Sequence, residues 1–558
     1  MVFVLLGLGT LAVVARLFQV QVAEHASWAR LARKIQEEVV TLPAQRGTIY
    51  DRNGLPLAYD VPAYDIALDN YHMTKPELLV DLLVEVLGLP RKKASELVYR
   101  EAYFTWIKRR VDRTVGDEFR RRAAELGIRG LLFFDSWARA YPQGLYALDV
   151  LGIVGVDGNG LEGLEYAFNK ELEGRARRLR LVRGRDGLVY EYWVEEPGIK
   201  GRDLHLTIDA RVQRICAEML DRGVEQFRAK RGLAVVMDPR TGEILALAQS
   251  PRTGPDDPDP ALLHSWAVTD PFEPGSTLKA LVGTAALDLG LVEPFDIFDA
   301  RSPIYVDGHP IRNAMGKSYE PSYFWRGITL SINTVLVQVA LKLGINRTWE
   351  YLRKFGIGEP TGVELPGEAM GTLRPPERWT RVDLATAAFG QGVSVNALQL
   401  ARAFCAIATD GLLPTIHLLR GHGGEPREVA SARACQEMRE MLRLAVMWGT
   451  GRDADLPDFE VAGKSGTAQK PREDGKGYYD DRVWGAMAAF FPWYAPEYVI
   501  LVVYDEPSVW PNWGGSTAGP TVKWIIEEMH RQGLIRPYPR RETQIEKELR
   551  EKEERGYR

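Results

Sequence analysis

The chain has 558 residues, of which 45% are hydrophobic and 26% are charged. These shares fit a folded protein and exclude a wholly disordered chain, a fibrous repeat and a polytopic membrane protein. Lys plus Arg total 71 and Asp plus Glu total 75, so the net charge of -4 gives no sign of a nucleic-acid-binding surface. We therefore expect no nucleic-acid partner.

The N-terminal segment is apolar over residues 1–15, is interrupted by Arg16 and continues to Val22. A transmembrane helix needs about 20 mainly apolar residues, and 1–22 reaches that length if Arg16 extends toward one interface. We predict a single membrane anchor over 1–22. One alternative is a cleaved signal peptide, although no basic residue precedes the apolar run. The other alternative is a buried helix of a soluble protein.

Residues 23–202 mix short strands with helical patterns. Mixed charges and spaced apolar positions predict a helix over 23–45. Asn53-Gly54 predicts a hairpin turn between two β-like runs. Further helices are predicted at 75–87 and 115–126. The glycine-rich stretch 152–165 does not fit G-x-G-x-x-G opening a helix, and it predicts turns.

A different pattern begins near residue 203 and predicts strands at both ends with helices between them. The strand patterns lie at 204–208, 233–237, 243–248, 461–462, 484–492 and 498–504, and the flanking helices at 211–226 and 522–530. Helices and loops fill 276–456. Strands from both ends join one sheet against a helical cluster, which is an α+β architecture. The charged tail 541–558 predicts a solvated helix or disorder.

These patterns predict four regions. They are an anchor at 1–22, a mixed strand-and-helix domain at 23–202, an α+β domain at 203–535 and a charged tail at 536–558. The three cysteines, Cys216, Cys405 and Cys435, have no metal-ligand spacing, and the eight histidines lack zinc-binding patterns. We expect no metal site and no cofactor.

Three short motifs occur in chain order. Residues 276–279 read S-T-L-K, residues 331–333 read S-I-N and residues 464–467 read K-S-G-T. The first two are common by chance and the third is rarer, but all three in this order form a strong joint signal. They resemble the motif set of penicillin-binding proteins and class A β-lactamases.

The first motif suits a nucleophile and its base. Pro274-Gly275 precedes Ser276 and an apolar run, which predicts a helix start. Positions i and i+3 share a helix face, so we expect Ser276 Oγ and the Lys279 amine to meet. Serine needs a base, and Lys279 serves only with a lowered pKa. Burial and a second cation, Lys464, would both lower it.

The other two motifs supply polar groups around that pair. A turn must bring Ser331 and Asn333 together, so that Ser331 relays a proton and Asn333 binds a substrate amide. Lys464 and Thr467 offer a cation and a hydroxyl to a substrate carboxylate. Gly466 lets a ligand approach the strand backbone closely. The alternative for each residue is structural: Ser276 and Ser331 as helix caps, Asn333 in a turn and Lys464 as a solvated charge on an edge strand.

With these motifs in place, the chain resembles the class B penicillin-binding proteins, the monofunctional peptidoglycan transpeptidases of bacteria. The resemblance covers nearly the whole length. Beyond the three motifs it rests on RGTIYDRNGLPLA at 46–58, the segments 141–165, 203–213 and 387–404, and GGSTAGP at 514–520. It implies a membrane anchor, an elongated α/β pedestal of the dimerisation type and a C-terminal transpeptidase domain.

The resemblance also implies a mechanism. Ser276 attacks the carbonyl between the terminal D-alanines of a stem peptide, D-alanine leaves, and an amine of a neighbouring stem resolves the acyl-enzyme. Lys279 is the implied base, Ser331 the relay and Lys464 a further catalytic cation. The backbone N–H groups of Ser276 and Thr467 form the implied oxyanion hole.

The implied substrate-binding residues are Asn333, Ser465, Gly466 and Thr467. The chain departs from the family pattern in two small ways, with isoleucine in the middle motif and Ser465 where many members have threonine. Both departures keep the polar groups that the chemistry needs.

The implied partners are peptidoglycan stem peptides, β-lactams as inhibitors and a polytopic membrane glycosyltransferase. The implied location is the inner (cytoplasmic) membrane, crossed once, with the catalytic domain outside the cytoplasm. Segments 106–111, 461–470 and 502–507 resemble division-type and sporulation-type members more than elongation-type penicillin-binding protein 2. Two functions remain as alternatives: a hydrolase of the same fold, either D,D-carboxypeptidase or β-lactamase, and a non-catalytic β-lactam-binding scaffold.

Overall fold

The computed structural model describes residues 2–102, 104–183, 189–255, 258–474 and 477–554. Helix α1 (Val2–Phe18) continues through a π-helical turn (Gln19–Ala23) toward α2 (His25–Gln36). Within the described chain, Phe3–Ala23 is the one helix that is long and apolar enough to cross a membrane, and none of it is buried. It is compatible with the anchor predicted over 1–22.

The predicted helix over 23–45 is wrong in its second half. Helix α2 ends at Gln36 and strand β1 (Glu37–Leu42) follows. Val39, Val40 and Thr41 are β-branched and favour an extended backbone. Strand β1 pairs antiparallel with β6 (Arg177–Arg183), which pairs with β7 (Val189–Glu196). A partner strand far away in the sequence, at residues 177–182, therefore decides the conformation.

The pedestal contains a second, larger sheet. Its strands are β2 (Ile49–Tyr50), β3 (Pro56–Asp69), β4 (Phe104–Asp112) and β5 (Leu131–Ala140), with β4 and β5 on either side of β3. The predicted turn at Asn53-Gly54 joins β2 to β3, with Gly54 at φ 83°. One sheet face packs on helices α3 (Pro76–Leu87), α4 (Arg91–Val98) and α5 (Arg113–Glu125). The helices predicted at 75–87 and 115–126 are confirmed.

The glycine-rich stretch forms turns, as predicted, and then short helices. Helix α6 (Leu148–Leu151) precedes it, and α7 (Gly163–Ala167) and α8 (Asn169–Leu172) follow. A Cβ atom at Gly160 would lie 1.9 Å from the Glu165 carbonyl oxygen, so no larger residue fits there. Glu165 itself is buried and pairs with Arg46 at 2.6 Å and Arg139 at 2.6 Å. This ion cluster ties the turns to the sheet.

The two large units share a strand pair. Strand β8 (Leu204–His205) lies parallel to β2, with Ile49 opposite Leu204. The carboxylate of Asp51 accepts a hydrogen bond from the Ala210 N–H at 3.2 Å, and Arg52 pairs with Glu243 at 3.0 Å. The pedestal is therefore bonded to the domain that follows it.

A five-stranded antiparallel sheet forms the centre of the C-terminal domain, in the order β10-β9-β19-β18-β17. Its strands are β9 (Arg231–Met237), β10 (Ile244–Ser250), β17 (Ala462–Pro471), β18 (Tyr478–Phe491) and β19 (Tyr498–Asp505). Strands from both ends of the domain thus join one sheet, as predicted. Because β17 is longer than the predicted 461–462 strand, the whole K-S-G-T motif lies on it.

Helices cover both faces of this sheet. On one face lie α9 (Ala210–Phe227) and α19 (Gly514–Arg531), packed against alternate residues such as Val236 and Ile500. The other face packs against α12 (Leu278–Asp288), α14 (Asn333–Leu343), α17 (Ala397–Ala408) and α18 (Ala432–Met447). The closing helix begins at Gly514, earlier than the predicted residue 522, with Pro520 inside it. The α+β fold class is confirmed.

Shorter elements complete the domain. They are α10 (Pro260–Leu263), α11 (Trp266–Thr269), β11 (Ile297–Phe298), β12 (Ile304–Val306), β13 (His309–Ile311), β14 (Ser322–Tyr323), α13 (Phe324–Thr329), α15 (Ile345–Lys354), α16 (Arg381–Ala387), β15 (Leu412–Leu413) and β16 (Arg427–Glu428). The strands β11 to β16 form three separate two-stranded hairpins or pairs, away from the central sheet. They shape the surface around the helical cluster.

The charged tail contains helix α20 (Gln544–Glu554), but its start is docked and not solvated. Ile545 is buried, and Glu440 of α18 accepts hydrogen bonds from the N–H groups of Gln544 at 2.9 Å and Ile545 at 3.3 Å. Thr543 and Glu546 cap the helix reciprocally. The high charge of the tail predicted solvation, but the apolar Ile545 lies at the start of the helix, where it packs into the core. Residues 555–558 lie outside the described residues.

Candidate active site

The first motif begins in a tight turn before α12. Ser276 is half-buried in the short 3₁₀ turn Gly275–Thr277, and Thr277 Oγ1 donates to the Pro274 carbonyl at 2.7 Å. Gly275 has φ 56°, and a Cβ atom there would lie 2.8 Å from the Thr467 carbonyl oxygen. This contact sets the nucleophile turn directly against the third motif.

Lys279 lies three residues after Ser276 and is fully buried. Its Nζ donates to the Ser331 carbonyl at 2.7 Å, to Ser331 Oγ at 3.0 Å and to Asn333 Oδ1 at 2.6 Å. We expected Lys279 to meet Ser276, but all three of these hydrogen bonds go to the second motif. Lys279 belongs to the first motif and lies on α12. Its side-chain hydrogen bonds therefore connect the first motif to the second.

A turn brings the second motif together, as its spacing requires. Ser331 has φ 58°, a left-handed conformation that is uncommon outside glycine, between α13 and α14. Asn333 is the first residue of α14. Its Nδ2 donates one hydrogen bond to the Arg312 carbonyl at 2.9 Å. The turn presents the Ser331 hydroxyl and the Asn333 amide oxygen to the same amine.

The third motif alternates sides along β17. Lys464 is fully buried and its Nζ donates to the Ser465 carbonyl at 3.1 Å, while Ser465 Oγ donates to Thr450 Oγ1 at 2.8 Å. Thr467 is exposed, and its Oγ1 accepts from the Gly514 N–H at 3.0 Å. A Cβ atom at Gly466 would lie 2.6 Å from the Pro274 carbonyl oxygen. The chain's own turn therefore occupies the space beside Gly466 that we had assigned to a ligand.

Burial and charge repulsion act on the two lysines. Burial, followed by repulsion from Lys464, lowers the pKa of Lys279 well below its usual range. Burial alone lowers the pKa of Lys464 to about 7. The neutral amine that a general base requires is thus favoured at Lys279, and the cation is retained more readily at Lys464.

Sequence reasoning missed residues that brace the nucleophile turn. Glu273 Oε1 accepts hydrogen bonds from the Gly392 N–H at 2.9 Å and the Tyr478 hydroxyl at 3.0 Å. A Cβ atom at Gly390 would lie 2.1 Å from the Gly275 carbonyl oxygen. Burial raises the pKa of the Glu273 carboxyl. In the sequence, the position of Glu273 directly before Pro274-Gly275-Ser276 was the signal that could have indicated its contact with the first motif.

The arrangement suits acyl transfer. A half-buried hydroxyl lies at the start of a helix, a lysine with a lowered pKa lies one turn away, and a second buried lysine lies on the adjoining strand. A serine activated by a nearby base forms covalent acyl intermediates, and a positioned second hydroxyl moves protons. These features make the cleft between α12, α14 and β17 the candidate active site.

Comparison with known proteins identifies the family of this chain. Residues 232–527 match the model described as the penicillin binding protein transpeptidase domain. Residues 41–206 match the penicillin-binding protein dimerisation domain. The chain belongs to the penicillin-binding protein transpeptidases. It is therefore an enzyme of the transpeptidase type, and its membership of the class B proteins agrees with the resemblance seen in the sequence.

Two curated relatives and one solved structure illustrate the similarity within this family. The chain is 33% identical over 505 residues to the probable peptidoglycan D,D-transpeptidase PenA of Neisseria meningitidis, covering 87% of this chain and 84% of the relative. It is 30% identical over 553 residues to stage V sporulation protein D of Bacillus subtilis, covering 95% and 84%. Penicillin-binding protein 3 of Mycobacterium tuberculosis, solved with aztreonam, is 26% identical, with a TM-score of 0.69 and coverage of 90% and 98%.

Proposed function

We propose that this penicillin-binding transpeptidase cross-links peptidoglycan stem peptides through an acyl-enzyme on Ser276. Ser276 Oγ attacks the carbonyl of the penultimate D-alanine, the terminal D-alanine leaves with a proton, and the amine of a second stem attacks the ester. The observation that carries the proposal is the fully buried Lys279, one turn after Ser276, hydrogen-bonded to Ser331 and Asn333. A lysine in that position is available as a neutral base.

Lys279 is the proposed general base and Ser331 the proposed relay. The neutral Lys279 amine takes the proton of Ser276 as the carbonyl is attacked. Ser331 Oγ lies 3.0 Å from Lys279 Nζ, so it passes a proton to the departing D-alanine amine. The backbone N–H groups of Ser276 and Thr467 stabilise the oxyanion, because the turn and the strand adjoin at Gly275.

The substrate-binding roles are also proposals. Lys464 and the exposed Thr467 hydroxyl attract the terminal carboxylate of the stem. Among the described residues, one N–H of the Asn333 amide bonds to Arg312, and its other N–H is open to a substrate carbonyl. Ser465 aligns β17 through Thr450, and Gly466 keeps the nucleophile turn close to the strand. Lys464 thus belongs to both the catalytic and the binding machinery.

The nucleophile is tested by covalent labelling of the full chain with a fluorescent penicillin. We expect Ser276→Ala to lose the labelled band completely, because the Ser276 hydroxyl at the helix start is the proposed nucleophile. Ser508→Ala, at an exposed serine beside the last strand, is the matched control and should label like the wild type. Circular dichroism checks the fold, and mass spectrometry locates the adduct. Full labelling of a folded Ser276→Ala variant would refute the assignment.

The two alternative functions are separated by what happens to an acyl group. A D,D-carboxypeptidase or β-lactamase returns the labelled serine to its free form in water. A non-catalytic scaffold releases no D-alanine from a stem pentapeptide. We expect D-alanine release that yields a cross-linked product when an acceptor stem is present. D-alanine release with only hydrolysed product, in the presence of acceptor, would favour the hydrolase.

We also propose a cellular setting. The chain crosses the inner membrane once through residues 1–22, carries its pedestal (23–202) and catalytic domain (203–535) outside the cytoplasm, and ends in the tail 536–558. It works with a polytopic membrane glycosyltransferase, which makes the glycan that it cross-links. The 21-residue apolar helix Phe3–Ala23 supports the single crossing. A cysteine reporter at an exposed position of the pedestal should react with a membrane-impermeant reagent in intact spheroplasts, and protection there would overturn the orientation.

Division or sporulation is the proposed role, with elongation as the rival. The similarity to stage V sporulation protein D and the division-type segments at 106–111 and 502–507 support it. A fluorescent fusion at native levels should collect at division sites, and its depletion should give filaments. A lateral-wall distribution with rounded cells on depletion would indicate elongation instead. Co-purification with the glycosyltransferase from cross-linked membranes tests the partner.

A further inference from the structure

A cavity of about 650 Å³ lies in the pedestal, far along the chain from the catalytic motifs. It is lined by residues between Thr41 and Ala176, so the transpeptidase domain contributes nothing to it. The volume falls within the range of sites for small ligands. Its lining combines arginine side chains with the aromatic side chains Trp106, Phe134 and Trp137.

A bulge in β4 directs two arginines toward this cavity. Tyr64 pairs with Val111 and Ile66 with Lys108, so Arg109 and Arg110 together oppose the single residue Asp65. Arg110 adopts φ 54°, and its N–H donates to Asp65 Oδ1 at 2.7 Å. Bulges re-aim side chains and are frequent beside functional sites. A left-handed conformation at a non-glycine residue also carries a conformational cost that the surrounding structure must offset.

Three acidic groups at the cavity have cationic partners, whereas a fourth, Glu173, accepts a hydrogen bond from the Asn169 amide. Asp60 pairs with Arg139 at 3.1 Å, and Asp65 pairs with Arg109 at 3.1 Å. Asp157 pairs with the same Arg109 at 2.6 Å. Asp65 and Asp60 also act on Arg110 as nearby opposite charges, but neither forms a hydrogen bond or ion pair with its guanidinium group.

Two arginine side chains at the cavity lack an acceptor, and a third keeps one donor atom unpaired. Within the described ranges, the guanidinium groups of Arg110 and Arg175 form no hydrogen bond or ion pair, and both residues line the cavity. Arg139 also lines it; its side chain is 3% exposed, and its Nη2 is buried without a partner. A buried donor without an acceptor costs free energy, so an acceptor-bearing ligand would stabilise this arrangement.

Beside these donors lies an apolar wall. Trp106 is 42% exposed and Phe134 36% exposed, and their rings contact each other at 5.6 Å. Arg109 stacks over Trp106 at 5.3 Å. Aromatic faces of this kind contact sugar rings or apolar groups, whereas arginine forks favour carboxylates.

We propose that this pedestal cavity binds a carboxylate-bearing saccharide, with Arg110 and Arg175 contacting the carboxylate and Trp106 and Phe134 contacting the sugar. This site is separate from the transpeptidase cleft and goes beyond the reaction proposed for it. The cavity thus provides the pedestal with a binding function of its own.

The test is a binding titration of the full chain in detergent micelles, after its catalytic serine has been blocked with benzylpenicillin. The probe is the disaccharide N-acetylglucosaminyl-N-acetylmuramic acid, followed by ligand-observed NMR. Its neutral counterpart is N,N′-diacetylchitobiose, which keeps the two sugars but lacks the carboxylate. We expect saturable binding of the acid and at least tenfold weaker binding of chitobiose.

Variants identify the site. Arg110→Gln and Arg175→Gln should each weaken binding of the acid by at least tenfold, because each removes a charged donor. Arg100→Gln is the matched control, since it removes an exposed arginine of the same domain away from the cavity. Arg175 is on the surface, so its variant carries the test if Arg110→Gln fails to fold.

Several outcomes would overturn the proposal. They are no saturable binding of the acid, equal binding of chitobiose, unchanged binding to both variants, and displacement of the acid by inorganic phosphate at an equal concentration. The last result would mean a simple anion site with no preference for a saccharide. Fluorescent-penicillin labelling of each variant confirms that its catalytic domain is intact.

Discussion

At the scale of single residues, the candidate active-site cleft buries two lysines whose charges repel. Lys279 is held by three acceptors of the second motif, while Lys464 bonds only to a neighbouring carbonyl among the described residues. Placing both in one buried region favours the neutral form of at least one of them. The lowered pKa values therefore follow from the geometry of the cleft.

The acylation rate should consequently depend on pH in a bell-shaped manner. A lysine with a lowered pKa becomes neutral at lower pH than usual, so the rate rises as pH increases through the pKa of Lys279. Lys464 must stay protonated to attract the carboxylate, so the rate falls as pH rises above its pKa of about 7. The measurement is the second-order rate of benzylpenicillin acylation from about pH 5 to about pH 10.

Lys464→Arg isolates the alkaline limb of this profile. Arginine stays charged throughout that range, so we expect the fall in rate to move upward by more than about one pH unit. Lys470→Arg, on the same strand but paired with Asp505 and Glu506, is the control and should leave the limb in place. An alkaline limb that stays fixed in Lys464→Arg would assign it to another group.

At the scale of elements, the close packing of β17 against the turn at Ser276 depends on the absence of a side chain at Gly466. Gly466→Ala would place a methyl group 2.6 Å from the Pro274 carbonyl and 2.9 Å from Thr277 Cγ2. The turn must shift, so we expect acylation to slow by at least tenfold and stability to fall by about 1–3 kcal/mol. The measurements are labelling kinetics and the denaturant midpoint.

The matched control for that substitution is Gly519→Ala in α19. Its added methyl group would meet atoms only at ordinary contact distances of 3.5 Å or more. Because Pro520 follows and its ring crowds a Cβ atom on the preceding helical residue, stability can fall, but acylation should be unchanged. Equal rates in both variants would remove the argument for close packing at Gly466.

Helix α20 gives a second prediction at this scale. Ile545→Ala removes a buried side chain, so the catalytic domain should lose about 2 kcal/mol or more of unfolding free energy. Gln544→Ala, at the exposed neighbouring position, should change it by less than about 0.5 kcal/mol. Urea unfolding of both variants measures the difference. If the tail were solvated, the two midpoints would coincide.

At the scale of the whole molecule, a buried acid lies at the contact between the pedestal and the catalytic domain. Asp149 of α6 accepts a hydrogen bond from the Gln249 N–H of β10 at 2.9 Å. Gln213 of α9 donates to the Tyr146 carbonyl at 2.8 Å nearby. Burial raises the pKa of Asp149 to about 8, against the opposing charge of Arg252. The contact is therefore favoured while Asp149 is protonated.

The sign of the pH effect follows from proton binding. Between the ordinary pKa of aspartate, near about 4, and its folded value of about 8, the folded state holds more protons than the unfolded state. Stability at this contact should thus fall as pH rises through that range. Asp149→Asn keeps the acceptor and removes the titration. We expect the variant to exceed the wild type by more than about 1 kcal/mol at pH about 8.5, and by less at pH about 5.

The control for the Asp149→Asn variant is Asp117→Asn on the exposed face of α5. It removes one acid from the pedestal without touching the contact, so its stability should track that of the wild type at both pH values. Urea midpoints at the two pH values give the comparison. A stability difference between Asp149→Asn and the wild type that does not grow with pH would contradict the raised pKa.

The sequence by itself determined the parts of the protein that depend on local pattern. The order of strands and helices in the catalytic domain, the hairpin at Asn53-Gly54 and the apolar N-terminal helix were all readable from periodicity and turn chemistry. The three motifs also predicted the candidate site residues, because the residue types and their order already restrict the chemistry.

Only the tertiary structure decided which atoms meet. It paired Lys279 with Ser331 and Asn333, filled the space beside Gly466 with the chain's own turn and made residues 37–42 a strand through a distant partner. It also packed Ile545 into the core of the C-terminal domain and brought the unpaired arginines together at the pedestal cavity. Local pattern fixes an element's type, but contacts between residues far apart in the chain depend on packing, and packing sets burial, pKa and fit.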